Sequence, residues 1–469
     1  MRPLLLAGRR VETDAAVTVY APWDGRALDE VAQAGPVELE AAAAAAERAF
    51  AVTRVLPGHK RAAILRSVAA KLAERAEEIA GLIRDEGGKP IQYARAEVSR
   101  AIDTFALSAD EATRIAGEVF SLDQTPGGDG RTAIIRRFAR GPVLAITPFN
   151  FPLNLVAHKV APAIAAGCPV VVKPAEQTPS AALVLGELIV EAGWPAEAIS
   201  VLPCDRSVAS ALVDDPRFPV LSFTGSDTVG WMLRSRAPRK QVLLELGGNA
   251  AAILGIDADF DAAIPRIAAG AFAHAGQVCI SVQHVLVPAS RYAEARDRLI
   301  AEAARVPHGD PARGDVVVGP MIDGRQAARV ESWIAEAVAA GAVCHGGGRE
   351  GTVLLPSVLE SVPVGARASV DEVFGPTVLL RPYATLDEAF GFINRARFGL
   401  QCGFWTQDVA ALWRAFDQLE VGGIIHNDYP TFRVDGMPYG GVKDSGTGRE
   451  GPRWAIRDYT EEKLLVLRS

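Results

Sequence analysis

Cysteine is scarce in this chain, and the five present, at 168, 204, 279, 344 and 402, are scattered. They form no Cys-x-x-Cys pair and no spacing fit for a metal. That excludes a disulfide scaffold and a cysteine-built metal centre, and it points to free thiols in a reducing compartment. Long apolar runs are also missing. Leu4-Leu5-Leu6-Ala7 is too short for the core of a signal peptide, and no stretch reaches the about 18 apolar residues that a membrane span needs. The cytoplasm is the expected address. Nor is there an excess of basic charge: the net charge is −7. Nucleic acid and anionic membranes are therefore poor partners, whereas a small anionic ligand in a local basic pocket stays possible. The chain shows no tandem repeat and no low-complexity linker.

What is present is a soluble, globular composition, 49% hydrophobic and 22% charged, over 469 residues. That length predicts two or three domains. Short strands and turns are expected over 1–35, followed by helices over 37–50, 57–84 and about 93–116, the second stopping at Gly87-Gly88. A strand with an exposed face spans 131–139. From Val143 to Leu246 short β-branched runs alternate with helices, which predicts a parallel sheet covered on both faces, with ligands at the carboxyl ends of its strands. A second αβ pattern follows Gly247-Gly248, with helices near 259–275, 290–305, 322–340, 385–395 and 408–419. The tail strand from Lys463 to Arg468 has no local partner; pairing with 131–139, in the same or another subunit, is expected.

Cys279 stands where an amphipathic helix gives way to a β-rich run, three residues after Gly276. Glycine there allows the backbone close to a bound group. Cys279 reads either as a nucleophile, because thiolate attacks carbonyls well, or as a small buried hydrophobe. Asn150 lies between Pro148 and Pro152 at a strand end. It either donates to a developing oxyanion or satisfies its own turn. Lys173 and Glu176 either reach ribose hydroxyls or form a surface ion pair. Thr224-Gly225-Ser226 leads into a helix N-terminus suited to pyrophosphate, although Asp227 adds an unhelpful negative charge there. Glu245 ends an apolar strand, where desolvation would raise its pKa towards that of a general base. Glu372 is a weaker candidate of the same kind. His274 and His158 read as packed helical histidines.

In order and together, Asn150, Lys173–Glu176, Gly225–Gly230, Glu245–Gly248, Cys279, Glu372–Pro376 and the run from Pro438 to Gly446 resemble the aldehyde dehydrogenase superfamily over nearly the whole chain. The resemblance implies an α/β fold with a Rossmann-like cofactor domain (1–121 and 141–246), a second αβ catalytic domain (247–447) and a small β oligomerisation element (122–140 and 455–469) that builds homodimers or homotetramers. It implies oxidation of an aldehyde to the acid with NAD(P)+ through a thiohemiacetal and a thioester on Cys279. Asn150 and the Cys279 N–H would hold the oxyanion, and Glu245 would activate water. Cofactor contacts would come from Thr147, Pro148, Phe149, Lys173, Glu176, Thr224, Gly225, Ser226, Val229, Leu246, Glu372 and Phe374, with no metal.

Two departures leave the chemical step untouched: Asp227-Thr228 replaces a common Thr-Glu, and Phe149 replaces a common tryptophan. Glu176 would repel a 2′-phosphate, which favours NAD over NADP. Glu245 favours hydrolysis over acyl transfer to coenzyme A; a coenzyme A-acylating relative and a catalytically idle one are the alternatives. The run from Asn427 to Tyr439 is similar to that of bacterial members acting on small polar aldehydes such as lactaldehyde, succinate semialdehyde or glyceraldehyde 3-phosphate. Phe151, Ile280 and Tyr439 would line the aldehyde tunnel, with His284 facing the same region. Arg433 would either neutralise an anionic tail or form a structural ion pair.

Overall fold

The computed structural model describes residues 1–468. The alternating stretch after residue 140 forms parallel strands Val143–Ile146, Val170–Lys173, Ile199–Val201, Val220–Thr224 and Gln241–Glu245. Almost every residue in them is buried. Helices cover both faces, so these strands read as continuous apolar runs rather than alternating ones. In chain order, the five lie third–second–first–fourth–fifth across the sheet. The chain leaves the first strand in one direction and resumes on its other side. That reversal opens a crevice beyond the carboxyl ends of Val143–Ile146 and Val220–Thr224. Antiparallel strands complete an eight-stranded sheet, Arg9–Val11 beyond Leu4–Leu6 at one edge and Gly446–Thr447 at the other.

A seven-stranded sheet forms a second body with its own core. The chain passes from one sheet to the other between Glu245 and Ala251, so a strand end of the first body directly precedes a strand start of the second. A third sheet joins Glu118–Ser121, Arg131–Ala139 and Thr460–Arg468. The tail strand pairs within its own chain, from Thr460 opposite Ala139 to Arg468 opposite Arg131. Its Leu464, Leu465, Val466 and Leu467 are all exposed.

Three expectations need correction. The helix expected over 57–84 is two, Gly58–Glu74 and Ala76–Gly87, separated at Arg75 (φ −108°, ψ 19°). Leu72, Ile79 and Ile83 are buried on both sides of the break. The apolar period runs across it and conceals it. A boundary at 121/122 would cut a hairpin, because Glu118–Ser121 pairs with Arg131–Ala139. Ladder bonding, invisible in local pattern, assigns that strand to the third sheet. Likewise Gly446–Thr447, expected in the second domain, hydrogen-bonds to Leu244 and Glu245 of the first sheet.

Candidate active site

The crevice is a cleft of about 790 Å³, walled by both bodies. The first sheet contributes the ends of its strands: Thr147, Phe149 and Asn150 after the first, Lys173 and Glu176 at the second, Thr224 to Ser226 at the fourth, and Glu245 and Leu246 at the fifth. The second body contributes Cys279, Glu372 and Phe374. Residues far apart in the chain therefore meet across one space.

Cys279 is delivered by an unusual turn. Helix Phe260–Phe272 ends, and His274 (φ 51°), Ala275 (φ 55°) and Gly276 (φ 68°) follow in the left-handed region. A Cβ on Gly276 would collide with the Gly375 carbonyl. The glycine thus admits protein backbone rather than a bound group, which corrects the sequence reading. His274 is likewise outside the helix. It is buried with neither ring nitrogen hydrogen-bonded, and burial, helped by Lys89, holds it neutral.

The peptide before Cys279 is pinned by Gln277. Its side-chain oxygen accepts from the Ile322 N–H (2.9 Å), and its amide donates to the carbonyls of His274 and Pro320. Asn150 Nδ2 in turn donates to the Gln277 carbonyl at 2.9 Å, while its Oδ1 is buried and unpartnered. An amide nitrogen carries two N–H bonds, so one remains to face a ligand. The Cys279 sulfur lies 2.8 Å from the Tyr439 hydroxyl. Burial pushes the thiol up to about 12; the Tyr439 hydrogen bond and Arg433 oppose this, and Glu372 and Glu245 reinforce it.

Both Glu245 oxygens are buried without a hydrogen-bond partner. A Cβ on Gly440 would lie 2.9 Å from Oε1, so glycine there lets the 439–441 loop close over the carboxyl group. Burial, then Glu450, drives the Glu245 pKa well above the carboxylate range, against Lys159, Arg433 and Arg449. Glu372 accepts from the Gly248 N–H at 3.1 Å and is pushed up to about 8, chiefly by burial. Phe149 and Phe374 meet edge to face at 6.1 Å.

On the far side of the cleft, Lys173 is buried and lies 3.4 Å from Glu176. That is no open-surface pair. Ser226 caps helix Asp227–Arg236 without a side-chain cap bond, and Val229 lines the cleft within it. A Cβ on Gly230 would strike Leu246, so the helix packs tightly over the strand end. Asp227, the charge that counted against phosphate, is ion-paired with Arg397. The unpartnered Thr147 and Thr224 hydroxyls, the open helix N-terminus and the Lys173–Glu176 pair fit a dinucleotide.

Phe151, Ile280 and Tyr439 pack in one apolar cluster with Cys279. Arg433 lies behind it, 3.8 Å from the Tyr439 ring centroid, its Nη2 bonded to Glu450 (2.8 Å) and His158 (2.9 Å). It forms an ion pair, and its Nε is buried without a partner. His158 also bonds Asp435 at 2.7 Å. His284 is elsewhere, against the Ser369 carbonyl and the Phe392 ring. Sequence reasoning missed two cations. Arg100 clamps Asp435 through two hydrogen bonds and lies 5.9 Å from the Phe151 ring. Lys89 sits 3.6 Å from the same ring, paired with Glu97. The Gly87-Gly88-Lys89 run held that signal, but it was read only as a helix stop.

The aldehyde dehydrogenase family model matches residues 10–465. The chain is a member of the aldehyde dehydrogenase family. It is 43% identical over 411 residues to the 3-sulfolactaldehyde dehydrogenase of Priestia megaterium, covering 87% of this chain and 86% of that one. Aldehyde dehydrogenase 21 from Physcomitrella patens, solved with the reaction product succinate, superposes with a TM-score of 0.98 at 42% identity, over 100% of this chain and 98% of that one. The NADP-dependent glyceraldehyde-3-phosphate dehydrogenase of Bacillus halodurans, complexed with NADP, gives 0.96 at 33% identity, over 100% and 99%. This dehydrogenase is an NAD(P)-dependent oxidoreductase that converts an aldehyde to its carboxylic acid.

The half-buried, raised thiol of the dehydrogenase has a measurable consequence. Below its raised pKa the thiolate fraction grows about tenfold per pH unit. Alkylation of Cys279 by iodoacetamide in the cofactor-free enzyme should rise on that slope from pH 7 to 9, followed by peptide mass. A plateau by pH 8 would contradict the raised thiol.

Proposed function

We propose that this dehydrogenase oxidises a short aldehyde carrying an anionic group, by covalent catalysis at Cys279 and hydrolysis of the resulting thioester. The convergence of Cys279, Asn150 and Glu245 on the cleft that also carries the dinucleotide features supports this reading. The Cys279 thiol gives its proton to water in the cleft, the sulfur attacks the aldehyde carbon, and the carbonyl electron pair moves to oxygen. The second Asn150 N–H and the Cys279 backbone N–H hold that oxyanion; such a donor contributes about 3–4 kcal/mol in the transition state. Glu372 and Phe374 would hold the nicotinamide end of the dinucleotide, which would supply the acceptor for the hydride leaving the former aldehyde carbon. Glu245 then takes a proton from the water that attacks the thioester, and the acid departs as Cys279 is restored. Only the ionised carboxyl can accept that proton, so the raised pKa of Glu245 makes deacylation rise with pH as the carboxyl deprotonates. Phe149, Thr147, Pro148 and Leu246 wall the cofactor, Thr224, Gly225, Ser226 and Val229 take its pyrophosphate, and Lys173 and Glu176 its adenosine ribose. Glu176 favours NAD over NADP.

Phe151, Ile280 and Tyr439 form the aldehyde wall. Three cations stand against this wall, Arg433 at Tyr439 and both Lys89 and Arg100 at Phe151. The three relatives described above are named for a sulfonate- or phosphate-bearing aldehyde, or hold a dicarboxylate product. A negative tail is the shared chemistry. The first and second sheets serve as cofactor and catalytic domains, and the exposed apolar strand from Leu464 to Leu467 joins subunits into a homodimer or homotetramer in the cytoplasm. Among the described residues no helix is long and apolar enough to cross a membrane.

Glu245→Gln should release one equivalent of reduced cofactor in a burst and then stall, and Cys279→Ser should show no burst; steady turnover by either would overturn the assigned role. On a panel of short aldehydes, kcat/KM should favour carboxylated, sulfonated or phosphorylated members, and Arg100→Met should raise KM for these at least about tenfold while sparing neutral ones. Leu465→Asp should shift the mass measured by light scattering from oligomer to monomer.

A further inference from the structure

We propose that the Tyr439 hydroxyl is itself a catalytic group, donating a hydrogen bond to the Cys279 sulfur as the thiolate forms, with Arg433 as the positioning residue that holds the ring in place. The inference rests on Cys279 being the nucleophile. It goes beyond a lining role for Tyr439, because the hydroxyl touches the reacting atom: Oη lies 2.8 Å from Sγ.

The phenol has little freedom to leave. Tyr439 is 3% exposed. Its backbone forms a two-bond bridge with Glu450, the Tyr439 N–H donating to the Glu450 carbonyl (3.1 Å) and the Glu450 N–H to the Tyr439 carbonyl (2.7 Å). The Arg433 guanidinium sits 3.8 Å from the ring centroid and is tied to the Glu450 carboxylate and to His158. The backbone bridge and the arginine thus converge on Glu450, and the ring is clamped between them.

The surroundings leave the thiolate few other friends. The Glu245 carboxyl from the first sheet and the Glu372 carboxyl from the second body both oppose negative charge on sulfur. Arg433 favours it, but Glu450 shares that charge, with Lys159, His158 and Asp435 completing the same buried network. Tyr439 is the one side chain hydrogen-bonded to Sγ among the described residues. An O–H donor to an anion is stronger than one to a neutral acceptor. The bond is therefore strongest for the thiolate. When the sulfur lone pair becomes the C–S bond, sulfur turns into a neutral, weak acceptor and the charge moves to the carbonyl oxygen. The phenol releases sulfur at the step where Asn150 takes up the oxyanion.

Tyr439→Phe removes one oxygen and keeps the ring on Arg433. The probe is iodoacetamide on the full-length, cofactor-free enzyme, read at the Cys279 peptide so that the other cysteines do not contribute. Losing the donor should cut the alkylation rate about threefold or more at each pH from 7 to 9: a tenfold smaller thiolate fraction, partly offset by the greater intrinsic reactivity of a more basic thiolate. Replacing Tyr439 by 3,5-difluorotyrosine, a stronger donor of the same shape, should move the rate the other way. A role in packing alone would not respond to fluorination in that direction. Dinucleotide binding by calorimetry should persist in Tyr439→Phe, which reports an intact cleft. Wild-type alkylation rates in both variants would overturn the proposal. Aldehyde turnover by Cys279→Ser would instead overturn the nucleophile itself, since alkylation reads the thiol whether or not it attacks aldehydes.

Discussion

Burial of ionisable groups at the junction of two sheets sets what this molecule can do. Cys279, Glu245 and Glu372 all lose water there, and in each case desolvation is the largest influence on proton affinity. Charged forms are disfavoured there. Chemistry then depends on donors already aimed at the place where charge develops. Asn150 and Tyr439 are the donors proposed for this, one fixed by the Gln277 carbonyl and the other by its clamp of Arg433 and Glu450.

The same junction explains why two bodies are required. A parallel sheet with a chain reversal offers strand ends and a helix N-terminus, which suit a dinucleotide. It supplies the carboxyl of Glu245 but no thiol. The second body supplies the thiol and covers the crevice with Glu372 and Phe374. Gly446–Thr447 pairs with the last parallel strand, which ends in Glu245, so the loop carrying Tyr439 and Gly440 is anchored to the first sheet within a few residues of the carboxyl it covers. Thiol, base and dinucleotide features are thereby held to one frame.

Behind the proposed aldehyde wall, helix Asn154–Ala166 is buried along its whole length, His158 and Lys159 included. Buried charges persist when paired. Lys159 and Arg433 converge on Glu450, and His158 and Arg100 on Asp435. This ionic layer supports Tyr439 and places positive charge near the short anionic substrates proposed for the enzyme. Arg433 forms the ion pair that the sequence offered as one reading, and it also stands against Tyr439 of the proposed aldehyde wall.

From sequence alone came the alternation of strands and helices, the strand-end positions of Asn150, Lys173 and Glu245, and the ordered motifs that carry the family resemblance. These are local properties, written in apolar period, turn residues and neighbours along the chain. The break at Arg75 escaped because the apolar period does not stop there. The left-handed turn at His274 escaped because the backbone it packs against, the Gly375 carbonyl beside Gly276, is remote in sequence. Lys89, Arg100 and the Tyr439–Cys279 contact escaped for the same reason: a lysine beside a helix stop says nothing about which ring it will face. Which strand ends adjoin, which carboxyl lacks a partner and which hydroxyl reaches the thiol were decided only by tertiary packing. Those facts depend on through-space distances of a few ångströms, and sequence separation carries no such distance.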